Sequence, residues 1–227
     1  MTGFTNRYET LRKDAWSALQ DANHLAVAYR LRATQLTKWK RVRDFISLGV
    51  TPGLLSATFV WENAVLRTIL FIISGLCSVS SWVWVTFGLS FNWDNQLRLS
   101  IEIPQKLSLL MPDIEENLES LTNLQNTKNE QEAEKAANKL KNLVQQVKSL
   151  RGELEREQVH IKPWMNLIAQ QDTMRNRNGR CGSCYQEWIP GSKILNTDAA
   201  KALIRKAKTN KLQRICEDCG QKLPSNP

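Results

Sequence analysis

The stretch 68–91 holds 24 residues and not one charge. As a helix rising about 1.5 Å per residue it would be roughly 36 Å long, against a bilayer hydrocarbon core of about 30 Å. A second uncharged stretch, residues 45–61, is 17 residues long and is interrupted by Gly49, Pro52 and Gly53. Alone it suits a kinked or interfacial helix. Beside its neighbour it forms the first arm of an expected transmembrane hairpin over 45–93, with Glu62, Asn63 and Arg67 in the turn. Lys38, Lys40, Arg41 and Arg43 precede the first arm and only Arg67 follows it. The positive-inside rule then puts the N-terminus in the cytoplasm, and two passes return the C-terminus there. Trp39, Trp61 and Trp93 fall at the expected interfaces. Apolar segments that begin 45 residues in and come as a pair do not fit a signal peptide. The competing reading is a buried hairpin inside a soluble all-α protein.

Hydroxyl and small side chains recur along both arms. Ser74, Ser78 and Ser81 share one side of the second, and Ser47, Thr51 and Thr58, with Ser56 nearby, are similarly spaced on the first. Such a stripe can let transmembrane helices pack closely. It can equally line a polar pore in an oligomer, without a charge filter from its walls. Cys77 reads as a packing residue.

Charge is distributed as a mosaic. Residues 1–44 carry 9 basic and 4 acidic side chains, residues 45–160 carry 10 and 13, and residues 161–227 carry 12 and 5. The excess base therefore sits at the two ends. The chain has two histidines, His24 and His160, and no phosphate-binding glycine loop, dinucleotide fingerprint or nucleophile elbow. These features argue against a conventional enzyme, and no catalytic residue is expected.

The flanks of the hairpin are helical by period. Within the N-terminal segment 1–44, residues 7–37 repeat apolar or small side chains at Tyr8, Leu11, Ala15, Ala18, Leu19, Ala22, Leu25, Ala26, Tyr29, Ala33 and Leu36, uninterrupted by Pro or Gly. The many alanines favour close helix packing over lipid burial. In 94–160, Pro104 and Pro112 punctuate the chain. The alternation Leu97, Leu99, Ile101, Ile103 fits a strand or a helix broken at Pro104. Beyond Asp113 two seams follow, Ile114-Leu118-Leu121-Leu124 and Ala133-Ala136-Leu140-Leu143-Val147-Leu150-Leu154, with a turn expected at 126–129. The second has heptad spacing. A helical hairpin or self-associating coiled coil is expected.

The segment 161–227 carries Cys181, Cys184, Cys216 and Cys219, two Cys-x-x-Cys pairs with 31 residues between them. Two residues between cysteines let both thiolates reach one ion from one tight turn, and two such knuckles complete a tetrahedral four-sulfur site for structural Zn²⁺. Gly182 and Gly220 suit the turns. A zinc-ribbon-like module is expected, with no βαβ pattern to suggest a redox pair; disulfides would need the C-terminus outside. His160, 21 residues before the first knuckle, reads as a surface residue. The spacer includes a basic helix opened by Asp198. Over 175–215, ten basic residues face two acidic ones, near Tyr185 and Trp188. Lys201, Arg205, Lys206, Lys208, Lys211 and Arg214 form the candidate nucleic-acid or nucleotide surface. Lipid headgroups or plain solvation remain the alternatives for it. Arg175 to Arg180 reads as a linker.

The order of parts resembles the SLATT family, paired-transmembrane effector domains of bacterial conflict systems. The resemblance covers roughly residues 7–125. It is carried by Ala18-Leu19-Gln20-Asp21-Ala22, Tyr29-Arg30-Leu31-Arg32-Ala33 and Phe45-Ile46-Ser47-Leu48-Gly49-Val50-Thr51-Pro52, followed by a second apolar span and a cytosolic helix. The double knuckle resembles that of a mobile-element subgroup, whose spacer is much shorter. The resemblance implies an inner-membrane homo-oligomer acting in antiviral defence and abortive infection. Its signal would be a nucleotide or oligonucleotide made by a nucleotidyltransferase encoded nearby. The combined expectation is an all-α membrane protein forming a gated ion channel. The alternative is a membrane-anchored, zinc-containing nucleic-acid adaptor without a pore.

Overall fold

A computed structural model describes residues 2–60, 62–90, 92–127, 130–157, 159–177, 180–181, 184–209, 216 and 218–221. Side chains are described except at 2–7, 49, 51, 87–90, 125–127 and 207–209. Among the described residues seven α-helices follow one another: α1 (Thr2–Asp44), α2 (Thr51–Val60), α3 (Ala64–Ser90), α4 (Trp93–Thr127), α5 (Glu130–Arg156), α6 (Pro163–Asn176) and α7 (Thr197–Thr209). A π-helical turn, Phe45–Val50, joins α1 to α2. The chain divides into two units, one of Met1–Leu31 with Ser100–Pro227 and one of Arg32–Leu99.

In the first unit α1 buries Tyr8, Ala15, Ala18, Leu19, Ala22, Ala26, Ala28 and Tyr29, a stripe at helical spacing in which alanines permit close approach. Arg151 of α5 reaches Asp21 at 3.2 Å, and the Tyr29 hydroxyl donates to the Val159 carbonyl just beyond α5 at 3.3 Å. Higher numbers on one helix meet higher numbers on the other, so α1 and α5 run in the same direction. α6 runs the opposite way. Asn23 Nδ2 donates to Thr173 Oγ1 at 3.1 Å, while Leu31 packs with Leu167 and Ile168. On α5 the heptad positions Ala133, Ala136, Leu140, Leu143, Val147 and Leu154 are buried, and Leu150 is half-buried. Glu130 and Glu132 in its first turn complement the helix dipole. Of the expected turn, 126–127 belong to α4 and 128–129 lie outside the described residues.

Residues 97–103 are helical, and neither Pro104 nor Pro112 ends α4. The strand alternative and the break at Pro104 are thus both corrected. Each interior proline costs about 3 kcal/mol, and burying a large aliphatic side chain returns about 1.5–3 kcal/mol. Ile103, Leu107, Ile114 and Leu121 are all fully buried on one face of α4, which outweighs two prolines. The seam expected from Ile114 onward therefore extends back to Leu99.

In the second unit, α2 and the π-helical turn pack against α3. Proline lacks an N–H and its ring crowds the carbonyl four residues back. The widened π-helical turn lies where Pro52 would disturb a regular ladder, so the helix continues. α3 starts on a real cap: Asn63 Oδ1 accepts from Val65 N at 3.0 Å and Leu66 N at 3.4 Å. Arg67 is one turn inside α3, with its N–H on the Asn63 carbonyl at 2.9 Å, and not in the turn as expected. At the far end Asn92 adopts φ 50°, a left-handed conformation that Asn tolerates, and this separates α3 from α4. Trp84 packs at a tilt of 46° against Trp39 and edge-on, at 80°, against Trp93, with ring centres 5.4 and 6.4 Å away. Trp61 lies outside the described residues. Among the described residues one helix, over Ala64–Thr86, is long and apolar enough to cross a membrane, with mean hydropathy 1.8 and Ser74 its one buried residue. The regular helix of the first arm, Thr51–Val60, is 10 residues long.

Candidate metal centre

The four cysteines converge. Cys181 Sγ and Cys216 Sγ are 3.7 Å apart, Cys184 Sγ and Cys219 Sγ are 3.5 Å apart, and all four sulfurs lie within 4.8 Å of one another. Sulfurs placed tetrahedrally at about 2.3 Å from an ion would be separated by about 3.8 Å. The donors therefore fit one thiophilic cation, and none of the four is in a disulfide. Cys181, Cys216 and Cys219 are buried. Burial pushes the Cys219 thiol well above its ordinary range. For Cys184 burial acts in the same direction, but hydrogen bonds from the Gln186 backbone and the other cysteines outweigh it and bring the thiol below its ordinary value.

The two knuckles repeat one backbone design. Cys181 N donates to the Gln186 carbonyl at 3.0 Å and Tyr185 N returns to the Cys181 carbonyl at 2.9 Å. Cys216 N donates to the Gln221 carbonyl at 2.9 Å and Gly220 N returns to the Cys216 carbonyl at 2.8 Å. The fifth residue of each turn is left-handed: Tyr185 at φ 58° and Gly220 at φ 74°. Gly220 also has a spatial requirement, since a Cβ there would lie 2.7 Å from Leu203 Cδ2. Gly182 lies outside the described residues. The expected ribbon is corrected in one respect. Among the described residues there is no strand, only an isolated bridge between Arg180 and Glu187, because each knuckle closes its hydrogen bonds on itself.

The supporting side chains were not legible beforehand. Met174 of α6 is buried against the cysteines, with Trp188 packed alongside. Gln171, also on α6, donates from Nε2 to the Cys219 carbonyl at 2.9 Å and accepts from Leu195 N at 3.0 Å. Its amide thus ties the second knuckle to the spacer. Gln221 Nε2 donates to the Glu187 carbonyl at 3.1 Å and joins the knuckles directly. The repeated Cys-x-x-Cys-x-Gln, ending at Gln186 and Gln221, was the available signal for the matched turns. The long spacer has a structural reason: it includes α7, whose Ala200, Leu203 and Ile204 close a core over Leu167 and Ile168 of α6. Asn196 caps α7 by accepting from Ala199 N at 2.8 Å, and Asp198 sits in its first turn. His160 is exposed and outside the cysteine cluster.

The basic residues separate into three groups. Lys201 Nζ lies 5.4 Å from the centre of the Trp164 ring, and Arg205 and Lys206 are exposed on α7. Lys208 belongs to α7 but its side chain is outside the described set, as are Lys211 and Arg214 entirely. Arg175, Trp188 and Lys193 border an open groove of about 520 Å³. Arg180 pairs with Glu187 at 2.8 Å and Arg177 with Glu115, so the expected linker is partly anchored. A cavity of about 630 Å³ lies between α1, α5, α6 and the second knuckle. Asp21, Glu155 and Asp218 face it against Arg151 and Arg180, and burial lowers the His24 pKa there. That balance does not suit a polyanion.

The proposed pore residues divide. Ser74 is buried, Ser81 half-buried and Ser78 exposed. Ser47, Ser74 and Ser81 bury hydroxyls with no partner among the described residues. Outward-facing Thr68, Ser80 and Thr86 instead donate to carbonyls four residues back at 2.8–2.9 Å. Thr58 is buried, and its hydroxyl donates to the Leu55 carbonyl at 2.6 Å. Cys77 is half-buried.

A scan of protein-family models, a search of curated proteins and a search of solved structures each found no match to this chain. The likeness to the SLATT family therefore rests on the sequence pattern described above.

Proposed function

We propose that this protein is a two-pass effector of the bacterial inner membrane, of the SLATT type, whose hairpins assemble into an ion channel gated by a nucleotide or oligonucleotide. The observation that carries the membrane part is α3: over Ala64–Thr86 the mean hydropathy is 1.8 and Ser74 alone of the described side chains is buried. A core helix of a soluble protein would be covered by its own chain. The 16 helical residues of 45–60 would reach roughly 24 Å, so the first arm needs the last turn of α1 to complete a crossing. Both termini would then be cytoplasmic. The cysteine centre would hold Zn²⁺, which closes its coordination shell with four thiolates and leaves no position for catalysis. The exposed Arg205 and Lys206, with the groove between Arg175 and Lys193, support polyanion binding on the outer side of this module. Gating requires that the ligand bind the open and closed assemblies unequally.

The test is ion flux from liposomes containing the purified, metal-loaded protein, with and without added oligonucleotides. Flux that switches with oligonucleotide supports the gated channel. A second reading, the membrane-anchored adaptor, is favoured by the burial of Ser74 and Ser81 within one chain, which uses part of the polar stripe for packing. No flux under either condition would select it. Ser78→Leu separates the two as well, since it should abolish conductance in a channel and leave an adaptor's oligonucleotide binding unchanged.

A further inference from the structure

A cavity of about 320 Å³ opens in the second unit between the π-helical turn and the start of α4. Its walls are of three kinds. Leu48, Val85 and Trp93 are apolar; Arg43, Asp44 and Asp94 are charged; Ser47 contributes a hydroxyl. The Ser47 hydroxyl is buried with no partner among the described residues. Val85 is in the last two turns of α3, near the end of the uncharged stretch at Phe91, and Ser47 and Leu48 are in the first turn of the other apolar arm. The cavity is thus at the level where apolar surface gives way to charge. The Trp39–Trp84–Trp93 cluster borders it through Trp93, and the Trp84 indole N–H is buried without a partner.

The charges here are balanced. Arg43 Nη2 lies 2.9 Å from Asp44 Oδ1, and its Nε donates to the same oxygen at 3.0 Å. Lys40 Nζ lies 3.4 Å from Asp94 Oδ1, and the Asp94 side chain is 74% exposed. One cation and two carboxylates in the wall, with Lys40 paired to Asp94 beside it, select against a headgroup with net negative charge. They favour one carrying both signs: a phosphate for the Arg43 guanidinium and the Ser47 hydroxyl, and an ammonium for the carboxylates. Only an ammonium with N–H bonds can donate to a carboxylate; a quaternary amine cannot. The volume matches a headgroup with its glycerol, within the range of about 300–1,000 Å³ typical of ligand sites, and the apolar wall continues toward the acyl chains.

We propose that this cavity binds a phospholipid whose zwitterionic headgroup carries a primary ammonium. This rests on the membrane reading above. The full-length protein would be reconstituted in vesicles of equal parts phosphatidylethanolamine, phosphatidylcholine and phosphatidylglycerol, floated on a density gradient, and analysed for retained lipid by native mass spectrometry. Retained phosphatidylethanolamine should exceed each of the other two by about tenfold, the ratio expected from one charge-assisted hydrogen bond. Asp94→Asn should reduce that excess and Ser47→Ala should weaken retention, whereas Asp113→Asn, on the exposed side of α4 in the other unit, should leave the preference intact. Protein that floats with the vesicles but retains the three lipids equally, or prefers phosphatidylglycerol, overturns the site and leaves the membrane reading standing. Protein that does not float overturns both.

Discussion

The two units solve the burial problem in opposite ways. In the helical and cysteine-bearing unit, apolar side chains such as Leu19, Ile114, Leu140 and Met174 are fully enclosed, and polar side chains such as Asn23, Thr173 and Gln171 are hydrogen-bonded inside, though Ser100 Oγ and Arg177 Nε have no partner among the described residues. In the hairpin unit the apolar side chains face outward, with Phe71, Leu76, Val79 and Trp82 all more than half exposed. Hydroxyls there divide: Thr68, Ser80 and the buried Thr58 bond their own helix, while Ser47, Ser74 and Ser81 have no partner among the described residues. One unit is complete within a single chain. The other offers surfaces that need an apolar surrounding and further partners.

Removing the metal should break this contrast most severely. Structural zinc sites contribute about 10–16 kcal/mol of apparent binding energy. Chelation, or Cys216→Ser, should unfold the region from Cys181 to Gln221 and expose α6, while the helicity of α3 persists. Amide hydrogen exchange of the detergent-solubilised protein checks this. Metal analysis should find about one zinc per chain; protein prepared under reducing conditions without metal would refute the four-sulfur site.

Paired truncations sharpen it. Leu140 is fully enclosed, so Leu140→Ala should cost about 2–5 kcal/mol. Leu76 is 64% exposed, so Leu76→Ala in detergent should shift stability by less than about 0.5 kcal/mol. Equal losses in chemical denaturation would mean that Leu76 is covered by another copy.

The two knuckles allow a smaller comparison. Gly220→Ala places a side chain at φ 74° and should cost about 1–3 kcal/mol. Tyr185→Gly at φ 58° should be near neutral. Relief of the left-handed backbone, about 1–2 kcal/mol, is offset by the greater unfolded-state freedom of glycine, about 0.5–1 kcal/mol. Thermal melts of both variants measure the difference.

The smallest effect concerns His24. Burial lowers its folded pKa, so the unfolded chain binds a proton more readily. Stability from this group is present above the ordinary histidine value of about 6.5 and is lost as pH falls from there through the lowered folded value. His24→Asn should flatten that part of the profile, measured at constant metal loading because thiolate ligands also release metal in acid.

Much of the fold was legible locally. The alanine stripe of α1, the heptads of α5 and the four cysteines all lie where their spacing placed them, because each depends on neighbours within one or two turns. Pro104 and Pro112 misled for the same reason: they are strong local breakers, and only the burial of Ile103, Leu107 and Ile114 on a shared face overrides them. Within the site, the ligands were visible as a pattern. Gln171 and Met174 were not, since nothing in α6 indicates which of its faces meets the second knuckle.

By itself, then, the sequence determined the uncharged α3, the paired knuckles and the helical periods, all set by composition and short-range spacing. The tertiary structure alone decided which face of each helix is covered. It turned Ser74 inward and Ser78 outward, placed α7 over α6, and brought Arg43, Ser47 and Asp94 around one cavity. Helical periodicity specifies that a face exists, but the partner that covers it comes from residues far along the chain.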